Sequence, residues 1–342
     1  MTITAGLDVG GAHLKVALVE DGRATEVRQI ACPLWQGLDK VEAAFAEAAP
    51  LLAQASRFAV TMTGELSDLF PDRETGVRTL VTLVSSKLGD GVRFWMGQKG
   101  DFGSADAAVR NHGDVGSMNF LATATLIGRK LSDAVLIDFG STTADIIPIS
   151  GGRPVPRGLS DAERQTTGEL VYTGTTRTAV MGVATRAPFD GQWVNLAREY
   201  LATMADVRRI LGEDLAEIDQ HATADGKGKS RAESITRLAR MLGRDASDGD
   251  EAQWQRVAAW LREEQLRSIT DGAFQVLSAR ALPDTAPFVA AGIGAPDAAV
   301  VATRLGRQVV LFGELAGASE NARRSSTHCA PAVAVALLLD AA

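Results

Sequence analysis

The sequence contains few of the residues that build disulfide or zinc frameworks. Its 342 residues include two cysteines, Cys32 and Cys329, which are far apart and form no Cys-x-x-Cys pair. A disulfide scaffold and a zinc site are therefore disfavoured, and a reducing compartment fits this usage. Dense runs of lysine and arginine are also missing, and the formal net charge is −7. An acidic chain without basic tracts does not favour nucleic acid as its main partner.

Long apolar runs are missing as well. The most apolar predicted helix, residues 330–339, is well short of the roughly 20 residues that cross a bilayer. The first residues lead straight into a predicted strand, so no signal peptide is predicted. We expect a cytoplasmic protein without a membrane partner. Hydrophobic residues at 46% and charged residues at 23% are typical of a globular protein, and the length allows two domains.

The sequence does contain two similar strand–turn–strand segments. The clearer one, residues 135–149, reads Val-Leu-Ile-Asp-Phe-Gly-Ser-Thr-Thr-Ala-Asp-Ile-Ile-Pro-Ile. It predicts two buried strands around a polar turn. Residues 3–19 repeat the pattern around an Asp-Val-Gly-Gly turn at 8–11. Two such hairpins indicate two related halves that face each other across one phosphate-sized cleft.

The turn residues are suited to holding a diphosphate and a cation. Glycine lets backbone N–H groups approach an anion, and hydroxyl groups add further hydrogen bonds. Asp8 and Asp138 end the first strand of each hairpin and are predicted to hold Mg²⁺. The competing interpretation is that each aspartate only caps its own turn. The predicted phosphate ligands are Gly10, Gly11, Gly140, Ser141, Thr142 and Thr143.

Three further polar residues of the hairpins have open alternatives. Lys15 could contact a diphosphate oxygen as a point charge, or be a surface residue of its strand. Asp145 could be the general base for an acceptor hydroxyl, or a hydrogen-bond partner of a neighbouring loop. His13 is a lone histidine in the first turn, which is more typical of a structural residue than of a catalytic one.

Substrate contacts are predicted at the ends of other elements, where cleft residues belong. Arg177 could hold a carboxylate or phosphate with its guanidinium, or form a structural salt bridge. The predicted substrate-binding residues are Thr63, Glu65, Asn119, Tyr172 and Arg177.

The order of predicted elements divides the chain into two α/β lobes, residues 1–130 and 131–342, each carrying one phosphate hairpin. Residues 194–280 show helical periodicity without a convincing strand, and we interpret them as a helical insertion in the second lobe. The tryptophan-bearing helices of this insertion offer a contact face for a homodimer. Monomer and dimer both remain open.

Three signals come in the order used by the actin, sugar-kinase and chaperone-ATPase superfamily. They are Asp-Val-Gly-Gly at 8–11, the turn at 138–145 and Ala-Gly-Ile-Gly at 291–294. Within that superfamily the chain resembles the hydantoinase A and oxoprolinase branch, and more specifically the proteins linked to tetrahydromethanopterin-dependent one-carbon transfer, which include a methanofuran-core synthase. The stretches that carry this resemblance are 63–66, 136–149, 168–174, 177–178, 202–207, 223–226 and 237–241.

The resemblance implies a two-lobed actin-like, or ribonuclease H-like, ATPase fold with a helical insertion. It implies condensation of an aminomethyl-furanyl-methyl diphosphate with the phenol of a tyramine or tyrosine conjugate, forming an aryl ether and releasing diphosphate. Catalysis would then consist mostly of neutralising the departing diphosphate and positioning the phenol. One alternative is an ATP-dependent kinase or amidohydrolase, with adenosine near 292–294. Another is a non-catalytic nucleotide-sensing protein.

Overall fold

The computed structural model of the chain describes residues 2–279 and 282–342. Its first lobe is built on a six-stranded sheet with the order β3-β2-β1-β4-β5-β6. Strands β1 and β2 form the first predicted hairpin, and β4 lies parallel to β1 on its other side. The strands are β1 (Ile3–Val9), β2 (His13–Glu20), β3 (Arg23–Ala31), β4 (Arg57–Met62), β5 (Arg93–Met96) and β6 (Asp101–Gly103).

Amphipathic helices cover the outer face of this sheet. Their apolar residues recur at helical spacing, as in Val41, Ala44, Phe45 and Ala48, and these side chains are buried against the strands. The helices of this region are α1 (Leu38–Leu52), α2 (Arg73–Leu88), α3 (Ala105–Arg110) and α4 (Asn119–Gly128), of which α4 lies on the inner face.

The second lobe opens with the second predicted hairpin. Strands β7 (Ala134–Phe139) and β8 (Ala144–Ser150) pair in antiparallel fashion, and nearly every residue in them is buried. Short strands β9 (Arg153–Pro154) and β10 (Leu170–Val171) pair with β8. Helix α5 (Asp161–Thr167) lies between them and begins with a capping box, in which Ser160 and Glu163 each accept from the other's backbone N–H.

The insertion has its own core. It contains α6 (Met204–Ile210), α7 (Arg231–Met241) and the long α8 (Glu251–Ala279). It is preceded by a hairpin of β11 (Arg186–Phe189) and β12 (Gln192–Asn195), which was not predicted from the sequence. Strand β12 ends within residues 194–280, which were predicted to contain no strand. Trp254 is buried in this core, whereas Trp193 on β12 is 55% exposed. The tryptophans are therefore divided between core and surface.

The chain then returns to the second sheet. The remaining elements are β13 (Phe288–Ala291), α9 (Ala295–Arg304), β14 (Val309–Leu311), α10 (Phe312–Leu315), α11 (Arg323–His328) and α12 (Ala330–Asp340). The sheet order is β10-β8-β7-β13-β14, with β7, β13 and β14 parallel. The series β2-β1-β4-β5 in the first sheet thus has its counterpart in β8-β7-β13-β14. The two predicted halves have the same topology.

Helix α12 joins the two lobes. It packs on β1, β2 and β4 of the first sheet and on α4. Its residues share one apolar core with strands of both sheets. The predicted second lobe, 131–342, therefore shares its last helix with the first lobe. No helix in the described ranges combines the length and the apolar character that a membrane crossing needs.

The contact between α12 and β1 requires a residue without a side chain at position 6. A Cβ atom built on Gly6 would lie 2.0 Å from the carbonyl oxygen of Ala332. We expect Gly6→Ala to destabilise the protein by about 3 kcal/mol in urea unfolding, because the helix backbone must move. Gly91→Ala is the matched control, since its added methyl group meets nothing within 4 Å. A Gly6→Ala protein as stable as Gly91→Ala would contradict this account of the interface.

Candidate active site

The two phosphate-type turns face each other across one cleft of about 500 Å³. The cleft is lined from both lobes, which the hairpin symmetry predicts. Of the residues predicted for the site, those that line the cleft are Asp8, Gly10, Gly11, Lys15, Thr63, Asn119, Asp138, Gly140, Ser141, Thr142, Thr143, Asp145, Tyr172 and Arg177. Glu65 does not. Trp35, Asp161 and Arg164, which were not predicted from the sequence, also line it.

The two turns are built in the same way. The N–H of Gly10 donates to the carbonyl of His13 at 3.0 Å, and the N–H of Gly140 donates to the carbonyl of Thr143 at 2.9 Å. In strand register Asp8 lies opposite Lys15, and Asp138 lies opposite Asp145. Each half therefore has an aspartate at the end of its first strand. The residue opposite that aspartate is a lysine in the first hairpin and an aspartate in the second.

The carboxylates of Asp8 and Asp138 form an electrostatic centre with Lys15. The Lys15 ammonium lies 3.1 Å from Asp8 Oδ2, while the buried Asp8 Oδ1 has no partner among the described residues. Burial alone would lower the pKa of Lys15, but the charges of Asp8 and Asp138 outweigh it and raise the pKa. Burial raises the pKa of Asp138 to about 7. The charge of Lys15 opposes this shift, and the charges of Asp145 and Asp8 add to it.

This donor set suits a divalent cation that also binds phosphate oxygens. Asp8 Oδ1 is an orphaned buried acceptor, and the Asp138 carboxylate is held close to other negative charges. Mg²⁺ is commonly bound by one or two carboxylates together with substrate phosphates and water. The described residues contain no group of three or more His, Cys, Asp or Glu side chains arranged around one metal. The two aspartates fit Mg²⁺ in that shared mode.

Asp145 is committed to an ion pair. Its carboxylate accepts a hydrogen bond from Arg164, which also lies 3.1 Å from Asp161 and stacks on the ring of Phe120 at 3.9 Å. Arg164 is only 3% exposed. Asp145 was predicted to be either a general base or a hydrogen-bond partner of a neighbouring loop. The structure shows it as a hydrogen-bond partner, but of Arg164 on helix α5 and not of a loop. Arg164 directly follows the Ser160–Glu163 capping box, a sequence pattern that marks a helix start but does not indicate the ion pair.

The segment 172–177 holds the second phosphate turn in place. Gly174 lies directly on this turn, since an added Cβ would be 2.2 Å from the backbone of Ser141. The backbone N–H of Thr175 donates to the carbonyl of Gly140, and that of Arg177 to the carbonyl of Ser141, both at 3.0 Å. The Tyr-Thr-Gly-Thr-Thr-Arg sequence thus shapes the cleft through its backbone. Tyr172 is 64% exposed at the rim.

Arg177 bridges the two lobes across the cleft. Its guanidinium donates to Thr142 Oγ1 at 3.2 Å and stacks on the indole ring of Trp35 at 4.6 Å. Of the three cationic side chains that line the cleft, Lys15 and Arg164 are paired with carboxylates. Arg177 forms no salt bridge with a carboxylate among the described residues. Burial lowers the pKa of its guanidinium. It is a free positive charge beside the phosphate turn.

Glu65 lies beneath the cleft instead of in its wall. It is 1% exposed and accepts a hydrogen bond of 2.6 Å from Ser117, a cleft residue with a left-handed backbone (φ 56°). Burial raises the pKa of Glu65 to about 7. It supports the cleft wall through Ser117, while Thr63 and Asn119 line the cleft as predicted.

The Gly-Ile-Gly turn at 292–294 is packed against the second hairpin. A Cβ on Gly292 would lie 2.6 Å from Asp138 Oδ1, and one on Gly294 would lie 2.3 Å from the Phe139 ring. Next to this turn, the buried Arg208 pairs with Asp297 at 2.6 Å and donates to the carbonyl of Thr175. The two glycines therefore lie directly against the second hairpin, on the side where a side chain would be.

These features define a two-lobed protein with the actin-like fold, as predicted. The nucleotide-free structure of an acetone carboxylase aligns with a TM-score of 0.56 at 12% identity, over 96% of this chain and 70% of that chain. An identity this low shows the fold alone.

The family is shown by the sequence relationships. Residues 57–337 match the family described as hydantoinase/oxoprolinase, and the chain belongs to that family. It is 34% identical over 245 residues to the (4-{4-[2-(gamma-L-glutamylamino)ethyl]phenoxymethyl}furan-2-yl)methanamine synthase of Methanocaldococcus jannaschii, covering 70% of this chain and 71% of the relative. The synthase of the same name from Methanococcus vannielii is 33% identical over 114 residues, which are 33% of this chain and half of the relative. The predicted placement in the methanofuran-core synthase-like branch is confirmed.

The burial of Asp138 makes the stability of the protein depend on pH. The unfolded chain releases this proton near pH 3.8, whereas the folded protein keeps it up to about pH 7. Protons bound more tightly in the folded state stabilise it at low pH, and that stabilisation is lost as the pH rises through 7. We therefore expect Asp138→Asn to raise the unfolding free energy at about pH 8 by on the order of 3 kcal/mol, and to change it little near pH 4.

Thermal and urea unfolding at both pH values measure this effect. Asp90→Asn is the control, because Asp90 is exposed and outside the cleft. An Asp138→Asn protein that is no more stable than wild type at about pH 8 would show that the carboxylate is ionised without cost in the free enzyme.

Proposed function

We propose that the protein is an enzyme of methanofuran or methylofuran biosynthesis that forms an aryl ether from a furanylmethyl diphosphate and a phenol. The observation that carries the proposal is the pairing of two phosphate-type turns across one cleft in a chain 34% identical to a named synthase. The relative's name describes a furan that carries a methanamine group and a phenoxymethyl group. In the phenoxymethyl group, one ether oxygen joins the phenyl ring to the methylene on the furan. A diphosphate on the furanyl methylene is the leaving group that such a cleft is suited to hold.

The reaction breaks one carbon–oxygen bond and forms another. The bond between the furanyl methylene and the diphosphate breaks, and its electron pair leaves with the diphosphate. The phenol oxygen bonds to the methylene carbon and loses its proton. Because the furan ring delocalises positive charge, the barrier depends mainly on the charge that develops on the departing oxygen.

The chain supplies positive charge and donors for that leaving group. Both glycine turns, the hydroxyl-bearing residues Ser141, Thr142 and Thr143, and Arg177, whose guanidinium has no carboxylate partner among the described residues, line the cleft. Preorganised donors of this kind act more strongly in a site shielded from water than in bulk solvent. When bound, Mg²⁺ held by Asp8 and Asp138 would add charge neutralisation of the diphosphate.

ATP is not needed for this chemistry. Residues 292–294 are not among those that line the cleft, which supports the synthase over the ATP-dependent alternative, in which that turn would accept adenosine. The experiment that separates them supplies an aminomethyl-furanyl-methyl diphosphate with tyramine, tyrosine or a glutamyl conjugate, without nucleotide. Mass spectrometry of an ether product with an equal yield of diphosphate supports the synthase, and phosphate release that requires ATP supports the alternative.

Arg177 provides a specific test of the diphosphate grip. We expect Arg177→Gln to lower kcat for ether formation by about 100-fold, because the variant removes a charge facing the leaving group. Arg186→Gln is a closely matched control, since Arg186 stacks on Trp193 at 4.4 Å, much as Arg177 stacks on Trp35 at 4.6 Å, but outside the cleft.

Steady-state kinetics with the furanyl diphosphate measure both variants. Arg186→Gln is expected to remain within about 2-fold of wild type, as surface changes away from a site usually are. Equal activities of the two variants would remove Arg177 from the mechanism.

A further inference from the structure

We propose that Trp35, His13 and His221 form the acceptor subsite, in which the phenol ring lies on the Trp35 indole and its hydroxyl donates to His13 Nε2. The proposal rests on the proposed function and extends it to the base that takes the phenol proton.

The three side chains come from separate parts of the chain and pack against one another, and His13 and Trp35 line the cleft. Trp35 precedes α1, His13 begins β2, and His221 belongs to the segment between α6 and α7 of the insertion. The ring centroids of His13 and His221 are 4.7 Å apart, and those of Trp35 and His221 are 5.2 Å apart. Arg177 stacks on the Trp35 ring at 4.6 Å, but Trp35 remains 40% exposed and lines the cleft, so the exposed part of its indole can contact another aromatic ring.

His13 has a buried nitrogen that no described residue uses. The side chain lines the same cleft as the phosphate turns but is only 4% exposed, and its Nε2 has no hydrogen-bond partner within the described ranges. An unsatisfied buried polar atom costs free energy, so it persists where a ligand completes it. A phenol hydroxyl on Trp35 is a donor of the right size and polarity.

The segment that carries His221 is fixed to the first lobe. Gln29 on β3 donates to the carbonyl of Ile218 at 3.4 Å, and its own carbonyl accepts from Gln220 at 3.0 Å. Asp219 is paired with Arg209 of α6. The insertion thus reaches over the first hairpin and supplies one wall of the proposed subsite.

The charges around His13 favour its neutral form. Burial lowers the pKa of His13 well below its usual value, and His221, Lys15 and Arg177 act in the same direction. A neutral imidazole with its proton on Nδ1 presents a lone pair at Nε2. The same cations favour loss of a proton from a phenol bound beside them.

The proposed step is balanced. The phenol oxygen forms its bond to the furanyl methylene as the diphosphate leaves with its electron pair, and the phenol proton passes to His13 Nε2. An oxygen that is bonding to a carbocation loses its proton readily, so a weak base is sufficient here. The imidazolium then returns its proton to solvent or to the departing diphosphate.

Trp35 is tested through acceptor binding. With tyramine as acceptor and saturating furanyl diphosphate, we expect Trp35→Leu to raise the KM for tyramine at least 10-fold and to leave the KM for the diphosphate within 2-fold. Trp193→Leu is the control, as this exposed tryptophan lies outside the cleft. Trp35→Phe should recover most of the loss, since it restores a ring. An unchanged KM for tyramine in Trp35→Leu would overturn the subsite.

His13 is tested through the acidity of the phenol. We expect His13→Gln to lower kcat with tyramine about 100-fold, a typical contribution of one general base. With 3,5-difluorotyramine, whose phenol is more acidic, the loss should shrink at least 10-fold. His112→Gln, outside the cleft, should behave as wild type with both acceptors. His13→Asn serves as a second variant if His13→Gln does not reach wild-type melting behaviour.

The outcomes separate this inference from the proposed function. Wild-type protein that forms no ether from either acceptor ends both. Wild-type ether formation with a His13 defect that is absent, or equal for both acceptors, overturns only the role of His13. A structural role would slow the two acceptors alike, whereas lost proton transfer slows the less acidic phenol more.

Discussion

The burial of three carboxylates in one cleft is the constraint on which this site depends. Asp8 and Asp138 are brought to one cleft by two hairpins of the same design, and Asp145 faces Asp138 across its strand pair. Lys15 forms a salt bridge with Asp8, and Arg164 forms one with Asp145. Burial is the main cause that raises the pKa of Asp138 to about 7, and the charges of Asp145 and Asp8 add to it while that of Lys15 opposes it. In the proposed function, a cation bound together with a diphosphate would offset this concentration of negative charge.

The two hairpins differ at the residue that lies opposite the strand-end aspartate. At equivalent register positions, the first hairpin carries Lys15 and the second carries Asp145. A duplicated scaffold thus places a cation on one side of the cleft and an Arg-bound anion on the other. Arg177 and Trp35 then connect the lobes by a contact that belongs to neither sheet. The two sheets bring the turns to one cleft. The side chains that differ between the halves determine the charge around it.

Much of this was predictable because it is encoded locally. The hairpins, their glycine turns and the strand-end aspartates follow from the alternation of apolar runs and polar turns, and the structure places nearly all of them around one cleft. Arg164, Trp35 and His221 were missed since they reach the site only through tertiary packing. Glu65 was expected in the wall but lies beneath it, because a strand-end position does not reveal which side of a loop faces solvent. The β11–β12 hairpin is short, and its periodicity was masked by the helices that follow.

The packing of α12 has a consequence for how the polypeptide is made. The inner face of the first sheet finds its cover in a helix far downstream, on residues 330–340. As the chain emerges from the ribosome, β1, β2 and β4 are complete long before that helix exists. The apolar surface of β1, β2 and β4 that α12 covers therefore stays exposed until residues 330–340 have been synthesised.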